Sequence, residues 1–139
     1  MKQLILKEGS IEDIEILALL NKQLIEDEGH DNKMDLIQLK ERMKEFINSE
    51  YRAVLFIEED NIKGYALLNV KLNPVYLRQF FICRECRREG YGTLAFQKLI
   101  EYLGTSRIDI EVLSWNERAI NFWRSLGFME RSIYMRLER

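Results

Sequence analysis

A chain of 139 residues, 47% hydrophobic and 32% charged, suits one domain with a core of its own. Its net charge of −2 argues against a dedicated nucleic-acid binder, and two cysteines are too few for a secreted disulfide scaffold. No apolar run approaches the ~20 residues of a membrane span and no amino-terminal stretch reads as a signal peptide, so the expectation is a cytoplasmic protein that engages neither membrane nor nucleic acid.

Gln3 to Lys7 reads as a short strand. Ser10 offers an N-cap oxygen with Asp13 as its capping-box partner. Ile14, Leu17, Ala18 and Leu24 then share a helical face that Gly29 can end. The polar stretch EDEGHDNKMD, residues 26–35, leads to a second helix over about Asp35 to Asn48, with Leu36, Leu39, Met43 and Phe46 facing inward. AVLFIEE is a compact apolar strand that EDN turns back. Ile62 to Leu72 forms the next strand, Asn73-Pro74 a tight turn, and VYLRQFFI a third strand.

The pattern then changes. Leu94, Phe96, Leu99, Ile100 and Leu103 mark a helix that begins near Gly92, and RIDIEVL is another strand. Asn116 caps a helix carrying Ala119, Ile120, Phe122, Trp123 and Leu126, with Gly127 at its end. FMERSIYMRL closes the chain as one or two short strands. The order β-α-α-β-β-β-α-β-α-β implies a single α/β domain over 1–139. Its mixed central sheet combines an antiparallel meander with one parallel crossover, flanked by about four helices.

Residues 83–92, CRECRREGYG, carry two signals. Cys83 and Cys86 have redox spacing, but a metal site needs about four ligands and His30 is the sole histidine. No metal is expected, and the pair reads as two small side chains in a loop. Gly90, Gly92 and Ala95 literally fit the dinucleotide fingerprint G-x-G-x-x-A, with Asp109 and Glu111 about 20 residues on. That fold needs several parallel βαβ units, and three antiparallel strands come first here. A third reading joins Arg87 and Arg88 to the glycines. Glycines admit a phosphate close to the backbone, helix-start N–H groups point at it, and arginines add charged donors. No Lys-Ser/Thr follows, so the loop is not a Walker A loop.

Downstream, NERAINFWRSLGF, residues 116–128, has the form N-x-x-A-x-x-F-x-x-x-x-G-F. Together, FFICRECRREGYGTLAF and EVLSWNERAINFWRSLGF resemble the GCN5-related N-acetyltransferase family over residues 75–128. The resemblance implies a fold of that type and an acetyl-CoA-dependent N-acetyltransferase. Such an enzyme moves an acetyl group to a primary amine of a small molecule or peptide, by direct attack in a ternary complex. It implies that Arg87, Arg88, Gly90, Tyr91, Gly92 and Thr93 bind the coenzyme A pyrophosphate. Phe80, Phe81, Ile82 and Cys83 would hold the pantetheine arm through their backbone, and Asn116, Ala119, Phe122 and Trp123 would line its path.

The chemistry needs a base for the amine, a donor for the oxyanion and a place for the leaving thiolate. In many relatives a Tyr follows the Phe of the second motif and protonates the sulfur. Trp123 stands there, and indole is a very poor acid. Tyr134 and Tyr91 are the alternative hydroxyls. The strand before the glycine loop, where family members often carry a carboxylate, has Arg78 and Gln79, neither of them a base, and these are expected to line the acceptor cleft. Glu28 and His30, in the polar stretch between the first helices, are the candidate bases and acceptor contacts; an acidic stretch there would suit a cationic amine. Two other functions stay open. One is a non-catalytic acyl-CoA-binding module, which Trp123 favours. The other is an NAD-binding oxidoreductase, which rests on the fingerprint alone. Exposed sheet edges would suit a homodimer.

Overall fold

The structure, a computed structural model, describes residues 3–139. Strand β1 (Ile5–Glu8) is followed by a single 3-10 turn over Ile11–Asp13 and helix α1 (Ile14–Glu28). Ser10 and Asp13 form the capping box that their spacing predicts. Gly29 ends α1 in the left-handed conformation. Helix α2 (Leu36–Ile47) has its own capping box, built by Asp35 and Gln38. Strands β2 (Tyr51–Glu58), β3 (Asn61–Asn69) and β4 (Val75–Ile82) then form the antiparallel meander. Helix α3 (Tyr91–Leu103), strand β5 (Ile108–Asp109) and helix α4 (Glu117–Ser125) complete the domain.

The sheet order is β1-β2-β3-β4-β5, with β4 and β5 parallel and every other pair antiparallel. Ala53 to Phe56 in β2 and Gly64 to Leu68 in β3 are continuous buried runs, the mark of strands covered on both faces. Tyr65 faces α1 and α2 through Asn21 and Arg42. Phe80 faces α3 and α4 through Phe96, Phe122 and Trp123. At Gly64 a Cβ would lie 2.0 Å from the Phe81 carbonyl oxygen, so only glycine allows β3 and β4 to approach this closely.

Two features of β4 prepare the site. First, β5 pairs with it only at Val75↔Ile108 and Tyr76↔Asp109, so the strand from Leu77 to Ile82 has no strand neighbour on that side. Second, the β3–β4 register shifts between Leu67↔Gln79 and Leu68↔Leu77, which leaves Arg78 as an extra residue. A bulge of this kind re-aims side chains. Arg78 and Gln79 both reach the α1–α2 face, Arg78 at Phe46 and Tyr51, Gln79 at Tyr65.

The chain departs from the sequence reading at its end. The strands expected over FMERSIYMRL do not form; residues 129–139 are exposed and outside the sheet. Ile133, Met135 and Leu137 alternate as a strand would, but a period-2 pattern makes a strand only where a sheet edge pairs with it. Here Arg136 instead reaches Asp31, beyond the end of α1. The strand expected over RIDIEVL is likewise only two residues long.

Candidate active site

The glycine loop is a helix start without a side-chain cap. Gly90 holds φ +84° at the N-cap, and the Leu94 N–H is the first to bond back, to the Gly90 carbonyl at 3.1 Å. The amides of Gly92 and Thr93 ahead of it point out of the helix. A Cβ on Gly92 would sit 3.1 Å from the Phe122 ring, so the second glycine is also what lets α3 pack on α4.

The arginines around this loop divide into two kinds. Arg87 donates from Nε to the Ile82 carbonyl at 3.0 Å, pairs with Asp27 and lies over the Phe81 ring. Arg84 pairs with Asp27 at 2.9 Å and with Glu26 at 3.1 Å. Burial alone would raise the Asp27 carboxyl, but hydrogen bonds from Arg84 and Arg87 outweigh it and hold the group below its ordinary range. Arg88 and Arg118, in contrast, form no ion pair among the described residues. Arg118 feels burial first and then the charges of Arg87 and Arg88, which lower its guanidinium. Sequence reasoning missed both Asp27 as the brace of the loop and Arg118. The signal for Arg118 was its place in the first turn after Asn116.

Along β4, Cys83 N–H bonds to the Lys63 carbonyl at 2.8 Å, which fixes the phase of the antiparallel ladder. Phe81 and Cys83 therefore spend their backbone groups on β3, while those of Phe80 and Ile82 face the open side. Asn116 caps α4 through the Ala119 amide at 3.2 Å. Phe122 stacks on Phe80 at 6.1 Å. Trp123 is buried among Phe80, Phe96, Phe122 and Phe128, with ring centroids 4.9–5.6 Å away. Tyr91 donates its hydroxyl to Glu58, a bond that with burial pushes the phenol up to about 12. Tyr134 stands on the exposed tail, its oxygen bonded to Arg136. The cysteines are buried free thiols, and burial pushes Cys83 up to about 11.

The second half of the site lies on the α1–α2 face of β4. Tyr65 donates to Gln79 Oε1 at 2.7 Å, and Asn21, hydrogen-bonded beside Tyr65, accepts from Arg42 at 2.9 Å. Asn21 and Gln79 are buried polar side chains, and together with buried Tyr65 they belong to one network. Glu28, at the last turn of α1, adjoins it. Burial, then the charge of Asp27, raise its carboxyl above the usual range, and Glu28 in turn raises the Tyr65 phenol. The other candidate base stands apart. The His30 Nδ1 accepts from the Asn32 amide at 3.0 Å on an exposed loop. Exposed Trp115 ties the segment before α4 to the end of α1, donating from Nε1 to the Glu28 carbonyl at 3.1 Å.

A meander, one parallel crossover, a strand splayed from its neighbour and an uncapped glycine helix start beside it define an acyl-transfer fold of the acetyltransferase kind. The topology leaves no place for the doubly wound sheet that the dinucleotide fingerprint requires. The Acetyltransferase (GNAT) family model matches residues 15–128, and the chain belongs to that family. Thialysine N-epsilon-acetyltransferase of Mus musculus is 34% identical over 56 residues, which span 38% of this chain and only a third, 33%, of that relative. Among solved structures, a variant of the BH1408 protein from Bacillus halodurans is 23% identical, with a TM-score of 0.79 over 97% of this chain and 99% of that one. AAC(6')-Iy in complex with the bisubstrate analogue CoA-S-monomethyl-acetylneamine is 17% identical, with a TM-score of 0.71 over 99% and 100%. At these identities the structural likeness speaks to the fold.

Proposed function

We propose that this chain transfers an acetyl group from acetyl-CoA to a primary amine of a small molecule or peptide, with Glu28 as general base. The observation that carries the reading is the half-buried Glu28 carboxyl beside the Tyr65–Gln79 network, on the strand whose far end meets the glycine loop.

The residues fit the coenzyme. Uncapped amides at Gly92 and Thr93, with Arg88 and Arg118 outside any ion pair among the described residues, suit a pyrophosphate. The outward backbone groups of Phe80 and Ile82 suit an arm that bears amides. Arg87 must release the Ile82 carbonyl for that group to be used, and Asp27 is positioned to keep the released guanidinium. Acetyl-CoA supplies the activated acyl group.

On the acceptor side, an amine near its ordinary pKa is protonated at neutral pH and must lose a proton before it attacks. A carboxyl raised above its usual range is a stronger base than an exposed one, and so better matched to an ammonium. The nitrogen–carbon bond forms as the carbon–sulfur bond breaks. Glu28 takes the ammonium proton before attack, the second nitrogen proton goes to solvent as the amide forms, and the electron pair of the broken bond leaves on sulfur. Trp123 offers no acid, and a thiol pKa of about 8.5 lets the thiolate depart unprotonated.

A non-catalytic acyl-CoA-binding module is the second reading, favoured by the burial of Trp123 at the position of the usual tyrosine. Mass spectrometry of a panel of primary amines incubated with acetyl-CoA separates the two. Acetylated product that disappears with Glu28→Gln supports the transferase. Coenzyme binding without product from any amine supports the module.

A further inference from the structure

From the guanidinium pair beside the Tyr65 network, we infer that the acceptor carries an oxyanion as well as an amine, held by Arg42 and Arg78. The inference rests on the acetyl-transfer reading above and names the acceptor class for that same site.

Arg42 comes from α2 and Arg78 from the bulge of β4. Both guanidinium carbons lie near one ring, Phe46, at 5.5 and 4.9 Å from its centroid. Arg78 also donates to the Tyr51 hydroxyl at 3.4 Å. Among the described residues neither arginine forms an ion pair, whereas Arg84, Arg87, Arg124 and Arg136 all do. Arg42 Nη2 bonds to Asn21, but its Nε is buried with no partner. Buried donors are nearly always satisfied, and an orphan of this kind needs an explanation. Burial and the nearby charge of Arg78 both depress the Arg42 guanidinium, so the pair is also short of negative charge.

Arg42, half-buried beside a like charge and with a spare buried donor, gains where an anion answers it, and Arg78, re-aimed by the bulge and exposed, is open to the same anion. Forked guanidiniums suit carboxylate and phosphate alike. Glu28 adjoins the same hub, since its charge and that of Arg42 both act on the Tyr65 phenol. An acceptor with a positive nitrogen at Glu28 and a negative group at Arg42 and Arg78 satisfies both ends. This extends the expectation of a cationic amine, which rested on the acidic loop alone. Of that loop, Glu26 and Asp27 are occupied by Arg84 and Arg87, and Asp31 by Arg136.

The test compares acceptors that differ only in the oxyanion: lysine against lysinamide, and phosphoethanolamine against ethanolamine. The expected result is at least tenfold higher kcat/KM for one oxyanion member over its neutral partner, carried by KM. Whichever pair discriminates tells carboxylate from phosphate. In Arg78→Gln, an exposed position that leaves the fold intact, the preference falls below about threefold, and Arg78→Lys restores part of it. Arg42→Gln, checked by circular dichroism, behaves alike. Calorimetric binding of the same four acceptors in the presence of desacetyl-CoA reads the site without turnover. Equal turnover and equal binding of oxyanion and neutral partners overturn the inference and leave acetyl transfer standing. Absence of product from every amine instead overturns the transferase reading, while oxyanion binding lost in Arg78→Gln still supports the anion site.

Discussion

The two ends of β4 handle charge in opposite ways. At the glycine loop, two arginines are already neutralised, by Asp27 and Glu26, and the loop offers a ligand its backbone amides together with Arg88 and Arg118. At the α1–α2 face the working groups are side chains, Glu28 and Arg42 half-buried and Arg78 exposed, and among the described residues their charges are unmatched: a raised carboxyl at Glu28 and guanidiniums at Arg42 and Arg78 outside any ion pair. In the function proposed above, one end binds the ligand common to every turnover and relies on features any similar chain can supply. The other must distinguish among amines, and low dielectric makes each group there count for more.

The sharpest break of that contrast is Glu28→Gln. Loss of a positioned base costs on the order of 100-fold or more in kcat. The same substitution at a position that served stability would also lower Tm, and here the opposite is expected. A carboxyl raised in the folded state favours folding in its protonated form, so its contribution is present below the unfolded pKa and is lost as pH rises through the folded one. Above that pH the ionised carboxylate is a burden that glutamine removes. Melts at pH 5 and pH 8 should show the variant gaining relative to the parent only at the higher pH. A Tm that drops at pH 8 with kcat intact would take the base away from the acceptor end.

Asp27→Asn probes the other end, with a smaller effect and the reverse pH sign. Asp27 is held below its ordinary range, so its stabilisation is present above the unfolded pKa and is lost as pH falls through the folded one, in the acid region below about pH 4. Hydrogen bonds to a charged group are worth about 1.5–3 kcal/mol. The variant should lose roughly that at pH 7, raise KM for acetyl-CoA through a loosened Arg87, and leave acceptor preference unchanged. Urea titrations from pH 7 down through the acid region check it, since the gap between parent and variant should narrow as pH falls below about 4. Gly92→Ala comes next. Its Cβ meets Phe122 at 3.1 Å, and overpacking of this kind costs about 1–3 kcal/mol. Thermal melts read that cost, and KM for acetyl-CoA rises with it if Phe122 is displaced from Phe80.

The contrast also explains what the sequence made legible. The glycine loop is local: Arg87 to Thr93 lie in one heptapeptide, and their spacing carries the phosphate chemistry. Asn116 and Phe122 follow in a second contiguous motif. The meander, too, is readable from AVLFIEE and VYLRQFFI, whose apolar runs match the strands nearly residue for residue. The acceptor end is assembled from Asn21, Glu28, Arg42, Tyr65 and Gln79, on four separate elements. A bulge at Arg78 decides which face it joins, and nothing in the local pattern announces one residue of register shift. The tail misled in the other direction. Ile133, Met135 and Leu137 have strand periodicity, but periodicity does not provide the edge that a strand must pair with.

The smallest expected effect concerns Trp123, and it bears on whether the missing tyrosine matters. If departure of sulfur were limited by lack of an acid, Trp123→Tyr would raise kcat toward the ~100-fold or more that general acids contribute. The surroundings argue against this. Trp123 is packed by four aromatic rings at 4.9–5.6 Å, with Phe96 and Phe128 edge-on to it. A phenol placed there has an apolar neighbourhood and gains no partner for its hydroxyl, which costs about 1–3 kcal/mol when buried unsatisfied. The expected result is a Tm lowered by several degrees and kcat within threefold of the parent, matched by Trp123→Phe. Equal rates in the three proteins, measured by thiol release at pH 7 and pH 9, mean that the thiolate leaves unaided and that this residue serves packing. A rate gain in Trp123→Tyr alone, largest at pH 7, would place the hydroxyl at the sulfur and make the acid, rather than the base, the weak point of the coenzyme end.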